Sequence, residues 1–129
     1  MTFKKRILVV DDEADFCSIV QNNLEKLGFE VEVAYDGEEC LSKVKAHPPD
    51  AIILDMIMPE KDGHEVCRAI KADKKLAAIP IVMLTAVASP VTAARYSHRG
   101  DTSVQADGYL SKPASVEDIS KSLKNLLHD

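Results

Sequence analysis

The sequence is poor in glycine and cysteine, and each shortage excludes a class of site. Its five glycines are spaced so that neither a G-x-G-x-x-G motif nor a Walker phosphate loop can be written. The cysteines, Cys17, Cys40 and Cys67, include no C-x-x-C pair, which argues against a disulfide framework and against a zinc site. We therefore expect no nucleotide cofactor, and we expect the thiols to pack in the interior.

Long apolar runs and basic stripes are also missing. The apolar run after the basic start "MTFKKR" stops at Asp11, too early for a signal peptide, and no later run could cross a membrane. The net charge is −5, and no basic stripe offers the phosphate contacts that nucleic-acid binding needs. These features predict a cytoplasmic protein without a membrane or nucleic-acid partner. A length of 129 residues predicts one domain over residues 1–129.

What the sequence does contain is an alternation of strand-like and helix-like segments. Apolar runs predict five strands, at Arg6–Val10, Glu30–Ala34, Ala51–Leu54, Ile81–Leu84 and Gly108–Leu110. Apolar residues at helical spacing predict a helix after each strand, the fourth near Ser89–Pro90 and the fifth at a capping box of Ser115 and Asp118. Because the third and fourth runs are continuously apolar, we expect an α/β fold with a parallel sheet covered on both faces.

Polar residues recur where the predicted strands end. They are Asp11 and Asp12 after the first strand, Asp55 after the third, Thr85 after the fourth and Lys112 shortly after the fifth. Each alone has an ordinary explanation, such as a helix cap for the acidic pair or a satisfied strand-end hydroxyl for Thr85. The carboxyl ends of parallel strands, however, share one edge of the sheet, where such sheets bind ligands. Together these residues suit a divalent cation and a phosphoryl group.

The chemistry of this set indicates both a metal and a nucleophile. Because every ligating side chain is a carboxylate, Mg2+ or Mn2+ fits better than zinc, and the dication would offset the repulsion between Asp11, Asp12 and Asp55. Asp55 is the candidate nucleophile, because a carboxylate can accept a phosphoryl group to form an aspartyl phosphate. Lys112 either pairs with Asp55 or holds an incoming phosphoryl oxygen.

Four segments carry a resemblance that spans essentially the whole chain. They are "ILVVDDE", "PDAIILDMIMPEKDGHEV", "IPIVMLTA" and "DGYLSKP", and in this order they resemble the receiver domain of two-component response regulators. The resemblance implies the flavodoxin-like (βα)5 fold, a three-layer α/β/α arrangement with a five-stranded parallel sheet in the order 2-1-3-4-5. It also implies a phosphoacceptor that catalyses its own phosphorylation and is not a dedicated turnover enzyme.

The resemblance assigns roles to the site residues. Asp55 would take a phosphoryl group from the phosphohistidine of a sensor histidine kinase or phosphotransfer protein. Mg2+ would be held by the side chains of Asp11, Asp12 and Asp55 and by the backbone carbonyl of Ile57. Thr85 and Lys112 would contact the phosphoryl group, and Tyr109 would be the aromatic switch that turns inward as Thr85 moves. The surface near helix 4, strand 5 and helix 5 would then signal to an unidentified downstream protein. Formation of a homodimer is a further possibility.

Three positions beside the acceptor and the threonine bear on the lifetime of the phosphoryl group. Ile57, Ala86 and Val87 match the family's phosphate-neighbouring positions. Ile57 and Val87 are apolar where the path of attacking water would run, and neither can orient water. We therefore expect slow self-dephosphorylation; the alternative is that both side chains merely pack. The interval from Thr85 to Lys112 is longer than the resemblance predicts, with the extra length expected in "SHRGDTS".

Three other functions fit the sequence less well. A phosphohydrolase with an aspartyl nucleophile would resemble D-x-D, but the second position here is Ile57. A passive interaction domain would keep the fold without phosphorylation, yet all five polar strand-end residues are present. Flavin binding by a flavodoxin-like sheet would need a phosphate loop after the first strand, which the sequence lacks.

Overall fold

The computed structural model of the chain describes residues 4–56, 63–85, 106–111 and 115–127. Its strands are β1 (Arg6–Val10), β2 (Glu30–Ala34), β3 (Ala51–Asp55), β4 (Ile81–Thr85) and β5 (Gly108–Ser111). They form a parallel sheet in the order β2-β1-β3-β4-β5, which confirms the predicted order. β1 and β3, at whose carboxyl ends the acidic residues lie, are therefore neighbours.

Helices cover this sheet within the described ranges: α1 (Ala14–Lys26), α2 (Gly37–Ala46), α3 (Gly63–Ala72) and the last helix (Val116–Leu127). The predicted cap of the last helix is present, because Ser115 Oγ accepts a hydrogen bond from the Asp118 N–H at 3.0 Å. Gly28 follows α1 with a φ of 100°, a conformation that favours glycine. The helix predicted near Ser89–Pro90 lies outside the described ranges. In the part of the chain that is described, no helix combines the length and apolar character needed to span a membrane.

Side chains on the two faces of the sheet pack against different helices. One buried cluster joins Leu54 and Met83 to α2 and α3, and the other joins Ile53 and Leu84 to α1 and the last helix. Every residue of β3 and β4 is buried, as their continuously apolar sequences predict. A sheet between two helical layers confirms the three-layer α/β/α arrangement.

Three strands extend one residue beyond their predicted ends, to Asp55, Thr85 and Ser111. In the register Asp55 lies opposite Leu84, and Thr85 lies opposite Ser111. The polar residues join the sheet because pairing uses backbone groups and does not depend on the apolar pattern that marks the rest of each strand. The backbones of Asp55 and Thr85 are therefore held in the sheet.

A half-buried lysine near the end of α3, Lys71, ties this helix to β4 and β5. Its Nζ donates to the backbone carbonyls of Ala77 and Ile79 at 3.1 and 3.0 Å, and to Asp107 Oδ2 at 2.9 Å. The same Asp107 oxygen accepts a hydrogen bond from the Ile81 N–H at 2.8 Å. These bonds hold the chain that enters β5 against the start of β4.

Lys71→Met is expected to lower the free energy of unfolding by about 1–3 kcal/mol, because two backbone carbonyls lose a charged donor. The exposed Lys74 provides the control, and Lys74→Met should change the value by less than about 0.5 kcal/mol. Urea unfolding followed by circular dichroism measures both. Equal effects of the two substitutions would contradict this account of Lys71.

All three cysteine side chains are buried, as predicted. Burial, together with the nearby carboxylates of Asp36 and Glu39, raises the pKa of the Cys40 thiol from 9.0 to about 12. Burial also raises the pKa of the Cys67 thiol. High thiol pKa values leave little reactive thiolate at neutral pH, so Cys40 and Cys67 act as small apolar groups of the core.

The stability of the protein is expected to fall between pH 9 and pH 12 through Cys40. In the unfolded chain this thiol ionises near 9.0, and in the folded protein its pKa is about 12, so its contribution is complete below pH 9 and declines above it. The decline is roughly 1 kcal/mol per pH unit. Cys40→Ala removes it, so the free energies of unfolding of the two proteins should converge across this window. Guanidinium unfolding measures them, and a constant difference would contradict the prediction.

Candidate functional site

Three carboxylates meet at the edge of the sheet where β1 and β3 end. Val10 lies opposite Leu54 in the register, so Asp11 and Asp55 follow paired residues on neighbouring strands. Asp11, Asp12 and Asp55 each offer one oxygen, and these oxygens all lie within 4.8 Å of one another. The structure thus brings together the three side chains that the sequence predicts as metal ligands.

The burial of this cluster raises the question of what balances its charge. Asp11 is 0% exposed and Asp55 is 4% exposed, whereas Asp12 is exposed. Carboxylates this close repel one another, and burial adds a desolvation cost to each charge. A divalent cation offsets the repulsion, and a donor set made only of oxygens suits Mg2+ or Mn2+. The residues present therefore fit the predicted metal.

Asp11 is held by contacts to its backbone and to its side chain. Its N–H donates to Ala34 O at 3.1 Å, and its Oδ1 accepts a hydrogen bond from the Glu13 N–H at 2.9 Å. The Cys17 thiol donates to the Asp11 carbonyl oxygen, with an Sγ–O distance of 3.3 Å. These contacts orient the carboxylate between β1 and α1 before any ligand arrives, which is what a metal ligand requires.

Asp55 is anchored by the sheet and by α3. It is the last residue of β3, and the next residue, Met56, donates its N–H to Leu84 O at 2.9 Å. The Met56 carbonyl accepts a hydrogen bond from the N–H of Gly63, the first residue of α3, at 2.8 Å. The backbone that follows the candidate nucleophile is therefore fixed from two sides.

Thr85 reaches the same edge of the sheet from β4. It is 7% exposed, ends its strand and lies opposite Ser111 of β5. Four predicted site residues lie outside the described ranges: Ile57, Ala86, Val87 and Lys112. The structure places the three aspartates and Thr85 at one edge of the sheet, and the roles of all the site residues stay predictions.

Tyr109, the predicted switch residue, is turned outward. Its side chain is 49% exposed, and its Oη accepts a hydrogen bond from the Ala106 N–H at 3.2 Å. In the register Tyr109 lies opposite Met83, two residues before Thr85. Because residues two apart in a strand share a face of the sheet, an inward turn of the ring would bring it towards Met83 and Thr85.

Two contributors to the site lack a functional signal in the sequence. Cys17 lies at an apolar helical position, which predicts packing, and its hydrogen bond to Asp11 depends on how β1 meets α1. Gly63 precedes the apolar pattern of α3, which predicts only a helix boundary. Its hydrogen bond to Met56 becomes visible once the end of β3 and the start of α3 are placed together.

A family model and curated relatives both match this chain. The family model "Response regulator receiver domain" matches residues 7–124. The alkaline phosphatase synthesis transcriptional regulatory protein PhoP of Bacillus subtilis is 39% identical over 123 residues, which are 95% of this chain and 48% of that protein. The chain spans about half the length of the curated relatives it matches.

Solved structures agree with the sheet order and the layers. The chemotaxis response regulator CheY4 of Vibrio cholerae matches with a TM-score of 0.84 and 33% identity, over 97% of this chain and 100% of that one. The signal receiver domain of a signal transduction histidine kinase from Syntrophus aciditrophicus matches with a TM-score of 0.84 and 31% identity, over 96% of this chain and 90% of that one. Both likenesses cover nearly the whole chain.

Proposed function

Because the chain belongs to the response regulator receiver domain family, whose members are phosphoacceptors in two-component signalling, we propose that Asp55 is its phosphoacceptor. The observation that supports this most is the placement of Asp55. It is buried at the end of β3, and its carboxylate oxygen lies within 4.8 Å of oxygens on Asp11 and Asp12. Parallel sheets of this order bind their ligands at this edge.

In the proposed reaction a carboxylate oxygen of Asp55 attacks the phosphorus of a phosphohistidine on a sensor histidine kinase or phosphotransfer protein. A P–O bond forms and the P–N bond breaks, and the electron pair of the P–N bond returns to the imidazole, which takes up a proton. Because the sheet and α3 hold the backbone around Asp55, the nucleophile is oriented before the donor arrives.

We propose that the side chains of Asp11, Asp12 and Asp55, with the Ile57 carbonyl, hold Mg2+, or Mn2+ in its place. When bound, the dication neutralises charge on the transferring phosphoryl group. Asp11 offers a buried oxygen on a side chain already oriented by the Glu13 N–H, whereas Asp12 is open to solvent. Such prearranged charges supply most of the catalysis in phosphoryl transfer.

Thr85 and Lys112 complete the proposed site. The Thr85 hydroxyl would donate a hydrogen bond to a phosphoryl oxygen, and the Lys112 ammonium would pair with Asp55 before transfer and with the phosphoryl group afterwards. Ile57 and Val87 carry no group that could orient an attacking water, and Ala86 beside them carries none either. Self-dephosphorylation is therefore slow in this proposal.

The proposed output is a shift between two arrangements of the surface around Tyr109. In the outward arrangement the Ala106 N–H holds the Tyr109 hydroxyl. In the inward arrangement, which phosphorylation would favour as Thr85 moves towards the phosphoryl group, the ring would pack towards Met83. The switch thus exchanges one exposed hydrogen bond for apolar contact.

Tyr109→Phe is expected to shift this equilibrium inward by about 0.5–1.5 kcal/mol, because the ring loses its bond to the Ala106 N–H. The ring current of an inward ring would move the methyl resonance of Met83. We expect this resonance to move in the variant towards its position in the phosphorylated protein. Tyr35→Phe, at a similarly exposed tyrosine, is the control. An unmoved Met83 resonance in Tyr109→Phe would contradict the prediction.

The partners of the chain are part of the proposal. A sensor histidine kinase or phosphotransfer protein would supply the phosphoryl group in the cytoplasm. The chain has a net charge of −5 and no basic stripe, which favours a protein as its downstream target over direct contact with nucleic acid. In the alternative, the surface changed by phosphorylation would bind a second copy of the chain and form a homodimer.

The proposed function is tested by incubating the protein with acetyl phosphate, a small phosphodonor, with and without Mg2+, and measuring its intact mass. We expect addition of one phosphoryl group, and only when Mg2+ is present. Free phosphate is measured in parallel. Rapid release of phosphate without an adduct would indicate a phosphohydrolase instead, and neither adduct nor release would indicate a passive interaction domain.

A further inference from the structure

Gly63 lies so close to the end of β3 that a side chain has no room there. A Cβ atom built on Gly63 would lie 2.6 Å from Asp55 O, 2.8 Å from Met56 Cα and 2.9 Å from Met83 Sδ. All three separations are well below the 3.5–4.0 Å at which carbon atoms pack. A glycine is therefore required for α3 to begin this near to β3.

Two of these three atoms belong to backbone that cannot easily yield. Asp55 is paired with Leu84 in the sheet, and Met56 is hydrogen bonded to Leu84 O on one side and to the Gly63 N–H on the other. A side chain at position 63 would therefore push apart the start of α3 and the end of β3. Met83 differs, because its thioether can change rotamer.

We infer that Gly63 is a positioning residue for Asp55. By bringing α3 against the end of β3 it sets where the Asp55 carboxylate stands relative to Asp11 and Asp12, and so whether the three oxygens can share one cation. This inference rests on the proposed function of Asp55. Gly63 has no side chain that could bind a phosphoryl group or a metal, so it acts through the backbone at the end of β3.

The test compares Mg2+ binding by Gly63→Ala and by the unsubstituted protein, measured by calorimetry, with phosphorylation by acetyl phosphate as a second readout. We expect Mg2+ affinity to fall and phosphorylation to slow by about 10- to 100-fold, since misplacements of about 1 Å have effects of this size. Gly28→Ala is the matched control. This substitution strains the backbone at Gly28, which has a φ of 100° and lies between α1 and β2. It should destabilise the protein without changing its Mg2+ affinity.

A second variant separates the backbone contacts from the contact with Met83. Met83→Val removes the thioether that meets the added methyl group, but leaves Asp55 O and Met56 Cα in place. Adding Gly63→Ala to Met83→Val should therefore lower the Mg2+ affinity by the same factor as adding Gly63→Ala to the unsubstituted protein. If Gly63→Ala folds only when Met83→Val is added, the side-chain contact and not the backbone contacts limits position 63, which would overturn the positioning role.

The outcomes distinguish this inference from the proposed function. Unchanged Mg2+ affinity in Gly63→Ala, or full recovery of affinity on adding Met83→Val, would overturn the positioning role. Failure of the unsubstituted protein to take up a phosphoryl group would overturn the proposed function. In that case weaker Mg2+ binding by Gly63→Ala would still support the placement of Asp55 by Gly63.

Discussion

Asp55→Asn is expected to abolish uptake of a phosphoryl group from acetyl phosphate. The amide is uncharged and is not a nucleophile, so no acyl phosphate can form at this position. The substitution keeps the size of the side chain, and the backbone stays paired with Leu84 in the sheet. Loss of the adduct would therefore reflect chemistry and not loss of the fold, which circular dichroism checks independently.

Asp73→Asn is the matched control for this experiment. Asp73 is a half-buried carboxylate whose Oδ1 accepts a hydrogen bond from the Lys75 N–H at 2.8 Å, and an amide oxygen can keep that bond. It lies after α3, at the opposite edge of the sheet from the proposed site. We expect normal phosphorylation of this variant. An adduct of undiminished yield on Asp55→Asn would contradict the assignment of Asp55.

Asp11→Asn is expected to have opposite effects on metal binding and on stability without metal. Mg2+ affinity should fall by at least about 10- to 100-fold, which is the loss known for residues that only support a ligand, because here a ligand itself is changed. Without Mg2+ the free energy of unfolding should rise by about 1–3 kcal/mol, because a buried charge close to Asp55 is removed. The Asn oxygen can still accept the Glu13 N–H, which preserves the local backbone.

Thermal unfolding in EDTA and in saturating Mg2+ measures both effects of Asp11→Asn. The unsubstituted protein should gain about 2.7 kcal/mol when Mg2+ is present at 100 times its dissociation constant, and the variant should gain much less. Asp15→Asn, at an exposed position of α1, should behave like the unsubstituted protein. Equal gains in Asp11→Asn and the unsubstituted protein would show that Asp11 is not a metal ligand.

The sheet is predictable from the sequence because its inner strands carry a pattern that few other structures tolerate. β3 and β4 are apolar at nearly every position, as strands covered on both faces are, and both are fully buried. The strand ends at Asp55 and Thr85 are predicted one residue short. Their pairing is made by the backbone, and the side chains give no sign of it.

The acidic part of the site is predictable for a topological reason. The carboxyl ends of parallel strands share one edge of the sheet, so residues far apart in sequence, such as Asp11 and Asp55, are expected together and are found together. The closeness of Gly63 to Asp55 O and the hydrogen bond of Tyr109 to Ala106 are not predictable in this way. They depend on a few ångströms between elements and on one side-chain rotamer, which no residue pattern specifies.

The assignment of Asp55 as the phosphoacceptor is tested by finding which residue carries the phosphoryl group. After incubation with acetyl phosphate and Mg2+, borohydride reduces an aspartyl phosphate to homoserine, and peptide mass spectrometry locates the changed residue. Homoserine is expected at position 55 and at no other aspartate. Homoserine at Asp11 or Asp12, or a phosphoryl group retained on Thr85 or His64, would contradict it.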